Sequence, residues 1–272
     1  MLAKKINMYS NAQLALKFIK YYLSASNGKG HGIHSPFVYD FVRNVLNKRG
    51  VPENVLAIEK RRESLIANTH VIEVMDRGAG SRKSELKKRS ISSIATSALK
   101  QKKISQLLYR MGVYFSPNPI SEMGTSFGIT TSYLAMSLPN QTIVTMEGAP
   151  AIAQEAKNTF AILNLKNVEI VEGDFATTLP VYLNSISHVG MMYIDGNHRY
   201  APTLQYFELL LNKVNEQSIL IFDDIYWSAE MEKAWGEIKN HTAVTLTIDL
   251  FHIGIVFFRK ENKQQQHFKI RF

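Results

Sequence analysis

The sequence predicts an α/β protein: a doubly wound, seven-stranded and mostly parallel sheet ending in a β-hairpin, preceded by a helical N-terminal extension. Three observations carry this expectation. From Ile120 onward, short apolar runs rich in Val and Ile alternate with amphipathic helical stretches, the pattern of successive βα units. The last two apolar runs are separated only by Phe251 or so, too short a link for a crossover helix, so they must pair antiparallel. The first hundred residues lack this alternation and read as mostly helical.

In the N-terminal part, Leu14, Phe18 and Tyr22 recur at helical spacing, followed by a loop from Ser26 to Gly32. Ser35-Pro36 reads as an N-cap with proline at the first helical position. Phe37, Phe41 and Val45 form one stripe of that helix, widened by Val38, Val42 and Leu46. A break at Arg49-Gly50-Val51-Pro52 precedes another charged helix. Val71 to Met75 fits a short strand or a helix end. Asp76 to Ser81 is glycine-rich and reads as a lid or loop, and Arg82 to Arg89 is strongly basic. Helical pattern resumes near Ile91, runs towards Met111, and is ended by Ser116-Pro117-Asn118-Pro119.

The strands expected beyond this linker are Ile120–Met123, Thr142–Met146, Val168–Val171, Val189–Ile194 and Ile219–Phe222. Helices are expected at Gly128–Ser137, Ala151–Leu163, Ala176–Ser185, Pro202–Val214 and Ser228–Lys239. Val244–Leu250 and His252–Phe258 form the hairpin. The division is therefore a basic, helical region 1–116 and an α/β domain 117–272.

Composition narrows the function classes. No run of eighteen apolar residues is present, so no transmembrane segment is expected. The first apolar stretch is interrupted by Lys17 and Lys20, a poor signal-peptide core, and a cytoplasmic protein is expected. Zero cysteines exclude disulfides, a thiolate nucleophile and Cys-ligated metal. Residues 1–116 hold 21 Lys+Arg against 7 Asp+Glu, whereas the remainder holds 11 against 16. A net of +14 beside −5 points to an acidic partner for the first region, nucleic acid, a phosphorylated metabolite or anionic lipid, unless this is simply a solvated basic surface.

Ligands of open α/β sheets sit beyond the carboxyl ends of the strands, so polar residues there are the ones to read. The first turn runs Glu122-Met123-Gly124-Thr125-Ser126-Phe127-Gly128-Ile129-Thr130. Gly124 permits a tight turn, Gly128 a close approach, and the helix N-terminus behind them favours a carboxylate. Thr130 offers a hydroxyl to the same group, and Glu122 can take an ammonium. Glu147 lies 23 residues beyond Gly124, where an acid can accept both hydroxyls of a ribose. Asp174 can accept from an adenine amino group or cap the following helix, and Phe175 can lie against a purine face.

Glu122-x-Gly124-x-x-x-Gly128, Glu147 and Gly173-Asp174 resemble motifs I, post-I and II of the class I S-adenosylmethionine methyltransferases, across roughly residues 117–260. The resemblance implies a Rossmann-like fold and S-adenosylmethionine as methyl donor. It implies donor contacts from Glu122, Met123, Gly124, Gly128, Thr130, Glu147, Gly148, Asp174, Phe175 and Asp195.

Two further strand ends carry the chemistry. Asp195-Gly196-Asn197-His198 follows the fourth strand, and Asp223-Asp224 follows the fifth. Adjacent strand ends bring these acids together, and three carboxylates in one crevice call for protonation or a cation such as Mg²⁺. The pattern is similar to catechol-type O-methyltransferases, which hold a metal with an Asp after the fourth strand and an Asp-Asn pair after the fifth. Here the pair is Asp-Asp, as in macrolide-type sugar O-methyltransferases, and the fourth-strand loop is one residue shorter. Asp195, Asp223 and Asp224 are the candidate metal ligands. Asp195 and His198 are the candidate catalytic residues, since an imidazole titrating near 6.5 suits proton removal from a hydroxyl.

The expected function is methyl transfer from S-adenosylmethionine to a hydroxyl of a small molecule, with Mg²⁺ as a candidate aid. The alternative is an RNA methyltransferase whose basic region 1–116 contacts phosphates. Against this stands the lack of an Asn-Pro-Pro-Tyr-type motif. A scaffold without catalysis, and a nicotinamide enzyme lacking Gly-x-Gly-x-x-Gly, fit less well. His31 and His34 flank a glycine turn and read as surface or structural groups. The basic Arg77 to Arg89 segment either clamps an anionic acceptor or is solvated.

Overall fold

The computed structural model describes residues 8–48, 50, 53–75 and 86–272. Its elements are α1 (Asn11–Ser24), α2 (Pro36–Phe41), which runs into a π turn at Val42–Leu46, α3 (Asn54–Ala67), β1 (Val71–Met75), β2 (Leu86–Ser90), α4 (Ile91–Ala98) and α5 (Lys102–Phe115). The alternating region follows as β3 (Ile120–Met123), α6 (Ile129–Ser137), β4 (Ile143–Glu147), α7 (Pro150–Ile162), β5 (Val168–Glu172), α8 (Phe175–Ser185), β6 (Met191–Ile194), α9 (Tyr200–Leu211), β7 (Ile219–Asp223) and α10 (Ala229–Lys239). Three strands close the chain: β8 (Leu246–Asp249), β9 (Ile253–Phe257) and β10 (Gln266–Lys269). Among the described residues, no helix is long and apolar enough to cross a membrane.

Among the described residues the main sheet has eight strands in the order β10-β8-β9-β7-β6-β3-β4-β5. Strand β9 runs antiparallel to β7 and β8, while β10 is parallel to β8, β6 to β7, and β3, β4 and β5 to one another. The terminal hairpin is β8–β9, as its short link requires. The eighth strand, β10, escapes the sequence pattern because it is a mostly polar edge segment, alternately half-buried and exposed, lying parallel to β8. By contact the chain forms two compact units, one built from residues 48–77 and 81–178 and the other mainly from 1–47 and 179–272.

In the first unit, β3, β4 and β5 are parallel neighbours. Val55, Ile58, Leu65, Ile91, Ile94, Phe127, Ile129 and Tyr133 form its core, so α3, α4 and α6 share one apolar interior. Buried Arg61 is held by an ion pair with Glu155 and by Thr159 at 3.1 Å, which offsets the cost of taking a guanidinium out of water. The helix expected from Ile91 to Met111 is broken at residues 99–101, where Leu99 and Gln101 are extended. The two pieces serve different partners: α4 packs on α3, and α5 on α6. Gly112 allows the second contact, since a Cβ there would lie 2.1 Å from the Ser137 hydroxyl.

Val71–Met75 is a strand, paired antiparallel with β2, so the N-terminal region is not purely helical. The consecutive Lys87, Lys88 and Arg89 of β2 gain a ladder there that sequence periodicity does not reveal. The glycine-rich segment 76–81 and basic residues 82–85 lie outside the described residues.

In the second unit, β6, β7, β9 and β8 are buried along their lengths. Gly254 of β9 lies flat against Trp235, with a Cβ there reaching 2.6 Å from the indole. Ser10 and Gln13 form a capping box that starts α1, Ser35 and Pro36 start α2, and Ser228 caps α10. The stripe read on α1 is out of phase. Tyr21 is the buried residue, donating to the Ile270 carbonyl, while Phe18 and Tyr22 are partly exposed. The reason is that α1 is held along a narrow edge of Leu14, Lys17 and Tyr21, where Lys17 and Tyr9 both reach Glu232 of α10 at 2.6 Å.

Candidate active site

At the carboxyl end of β3 the chain turns at once onto β4: the Gly124 and Thr125 amides both donate to the Met146 carbonyl, at 3.0 and 3.1 Å. Gly124 has φ 100° and Gly128 φ 77°, left-handed conformations that glycine adopts without strain. Gly128 is also required by packing, because a Cβ there would lie 2.5 Å from the Phe160 ring. Its close approach is thus to α7. No side chain caps α6, so its N-terminal amides remain an electropositive end.

Glu122 is wholly buried, and one of its carboxylate oxygens accepts from the Thr131 hydroxyl and from Thr145 at 2.7 Å. Thr145 in turn touches Thr125 at 2.7 Å. These threonines, which sequence reasoning passed over, tie β3, β4, the turn and α6 together. Their signal was polar residues, Ser121, Glu122 and Thr145, inside otherwise apolar strands.

Glu147 closes β4 and holds the loops on both sides. One oxygen accepts from the Ser126 amide at 3.0 Å and the other from Ala149 at 2.9 Å. Gly148 lies in the same half-buried turn. The Asp174 carboxylate accepts from the Ala176 amide at 2.8 Å, so the capping role holds, and the residue is exposed with Phe175 half-buried beside it. Met123 and Thr130 are buried.

The other unit carries the acids of β6 and β7. Asp195 is clasped from two sides: the Tyr193 hydroxyl donates to one oxygen at 3.2 Å, and His198 Nε2 lies 3.2 Å from the other. Asp223, fully buried at the end of β7, joins them, and ligand atoms of Asp195, His198 and Asp223 lie within 4.8 Å of one another. His198, rather than Asp224, thus completes the cluster. The loop is held by Asn197, whose amide donates to Tyr206 at 2.8 Å, and the His198 ring faces Trp227 at 5.7 Å.

Backbone conformation marks the same places. Asn197, His198 and Asp224 have φ of 66°, 27° and 51°. A left-handed residue other than glycine costs about 1–3 kcal/mol, less for Asn and Asp, and such strain concentrates where side chains must be aimed.

Asp224 is not part of the Asp195, His198 and Asp223 group. It lines a cavity of about 460 Å³ together with Leu14 and Phe18 of α1 and Tyr226, Trp227, Phe251 and His252. Tyr226 donates to buried Asp249 at 2.6 Å, and the Phe251 amide donates to the other Asp249 oxygen at 2.9 Å. Burial raises the Tyr226 hydroxyl well above its ordinary range, next to the Asp249 charge, so it stays a donor. Burial likewise raises the Asp249 carboxyl, against hydrogen bonds that lower it.

The described part of the basic segment is tied into its own hairpin. Lys88 meets Glu73 at 3.7 Å, and Arg89 reaches Ser93 and Ser97 at 3.3 and 3.2 Å. His31 and His34 are exposed.

Against known proteins, a family model described as a methyltransferase domain matches residues 121–225. A methyltransferase of Podospora anserina, solved with S-adenosylhomocysteine, superposes with a TM-score of 0.59 at 12% identity, over 83% of this chain and 97% of its own. An O-methyltransferase of Bacillus cereus, also in complex with S-adenosylhomocysteine, gives 0.54 at 17% identity, over 81% and 97%. The O-methyltransferase TomG of Streptomyces achromogenes, involved in tomaymycin synthesis, gives 0.51 at 16%, over 60% and 82%. No curated protein sequence matches the chain. Residues 121–225 are therefore similar to a methyltransferase domain, and the chain has the fold of these methyltransferases.

Proposed function

We propose that this chain, a class I methyltransferase by domain and fold, moves a methyl group from S-adenosylmethionine to a hydroxyl of a small molecule. The observation that carries the reading is the pair of hydrogen-bonded acidic sites at strand ends, Glu147 for the donor and the Asp195–His198 pair for the acceptor. On this reading Glu147 receives the ribose hydroxyls, Asp174 and Phe175 flank the adenine, and Gly124, Gly128, Thr130 and the α6 amides hold the methionine carboxylate. Glu122 with Met123 and Gly148 shapes that turn, and Asp195 closes the donor site. Holding loop amides and accepting ribose hydroxyls are compatible for Glu147, because a carboxylate has about four lone-pair sites. Residues 117–272 form the catalytic domain, and region 1–116 covers the acceptor, in keeping with Leu14 and Phe18 lining the cavity beside Asp224.

S-adenosylmethionine supplies a methyl group already activated on a sulfonium sulfur, so the protein has to align the acceptor oxygen and accept its proton. With Nε2–H directed at Asp195, His198 carries its basic lone pair on Nδ1, and the carboxylate stabilises the imidazolium formed when the hydroxyl proton arrives. Tyr193 fixes Asp195 in turn. A divalent cation fits the same cluster, since two carboxylates and an imidazole are an accepted donor set, and it would lower the hydroxyl pKa. Asp195 and Asp223 would hold it, with His198 as third ligand or as base.

The experiment is transfer of label from methyl-labelled S-adenosylmethionine to a panel of hydroxylated small molecules, with and without Mg²⁺ or Mn²⁺. Label is expected in an ether-type product. Label appearing only in RNA added to the assay would replace this reading with the nucleic-acid one.

A further inference from the structure

The cavity that Asp224 lines has a chemistry of its own. Four aromatic residues, Phe18, Tyr226, Trp227 and Phe251, make half of its wall, with His252, Leu14 and Ala15 beside them. Asp224 is its acid, and neither lysine nor arginine lines it. The wall is built rather than accidental. Phe251 stands at φ 70°, an outlying conformation for a bulky side chain, and is kept there by the Asp249 carboxylate accepting from its amide at 2.9 Å. Tyr226, fixed by the same carboxylate, stacks on Phe251 at 5.3 Å, and Phe18 meets Phe251 edge-on at 5.1 Å. Asp249 therefore orders two rings at once, and α1 supplies the third.

We propose that this cavity binds an organic cation, an ammonium group carried on a compact aromatic or alicyclic body. Ring faces attract a cation and exclude water from it, while Asp224 supplies the opposite charge in the same space. An anion of the same size would face a carboxylate and electron-rich rings, with neither lysine nor arginine to receive it and His252 as the one imidazole on the wall. The volume of about 460 Å³ is that of a small-molecule site. Its place next to the catalytic cluster, through the Asp223-Asp224 peptide and the His198–Trp227 contact, makes the occupant the methyl acceptor. That last identification rests on the methyltransferase reading, whereas binding of the cation does not. The sign is opposite to the anionic acceptor suggested by the basic N-terminal region.

Calorimetry on the full chain with phenethylammonium and with phenylacetate, matched in size and opposite in charge, tests the proposal. The ammonium is expected to bind about tenfold or more tightly than the carboxylate. Asp224→Asn should bring the two together, and asparagine tolerates the left-handed backbone there, so folding is preserved. Phe18→Ala, at a partly exposed position on α1, should weaken the ammonium severalfold. Equal or tighter binding of phenylacetate, no binding of either, or an Asp224→Asn variant with an unchanged ratio overturns the proposal. Cation binding in a protein that ignores S-adenosylhomocysteine would uphold the cavity and reject the donor reading.

Discussion

Glu147→Ala is expected to weaken S-adenosylhomocysteine binding by about 10–100-fold. The carboxylate is asked to accept the ribose hydroxyls while holding Ser126 and Ala149 by their amides. Hydrogen bonds to a charged acceptor are each worth about 1.5–3 kcal/mol, and about 1.4 kcal/mol is a factor of ten in affinity. Losing the two loop bonds adds to the effect, because the turn carrying Gly124 and Gly128 and the start of α7 would no longer share an anchor. Glu147→Gln separates the two contributions: it keeps one oxygen and should fall between wild type and alanine. Calorimetry reads both variants, with circular dichroism to confirm that each is folded. An alanine variant binding within twofold of wild type would remove Glu147 from the donor site.

The second large effect is on turnover. His198→Ala is expected to lower kcat by about 10²–10⁴-fold, the range of a positioned general base, and to leave S-adenosylhomocysteine affinity within about twofold. The split follows from the proposed roles: His198, paired with Asp195 and clustered with Asp223, would act on the acceptor. Asp195 alone of that cluster would also reach the donor, which would be held mainly from β3, β4 and β5. Added imidazole should restore part of the rate if the residue works as a base. Restoration by Mn²⁺ in excess would instead assign it as a metal ligand. A variant with full kcat on the acceptor found by label transfer would falsify both roles.

The alternating part of the fold was legible because apolar strands and amphipathic helices carry their periods openly. Polar residues at the strand ends, Glu122, Glu147, Asp195 and Asp223, stood out against those apolar runs. The edge strand Gln266–Lys269 was not legible, since its sequence is polar and only a neighbour's ladder makes it a strand. Nor was the phase of α1. A narrow buried edge lets Lys17 point inward to Glu232 while Leu16, Ile19 and Leu23 stay exposed. The cluster was half legible. Adjacent strand ends foretold that Asp195 and Asp223 would meet, but the left-handed turns at Asn197, His198 and Asp224 decide which side chains join, and Asn and Asp give only a weak sign of such turns. Asp224, outside that group, lines the aromatic cavity.

The central claim is the methyl donor, and titration of the wild-type chain with S-adenosylhomocysteine tests it most directly. One-to-one binding with a micromolar dissociation constant or tighter is the predicted result, on the order of −8 kcal/mol. A folded protein that shows no heat of binding and no thermal stabilisation at millimolar ligand would contradict it.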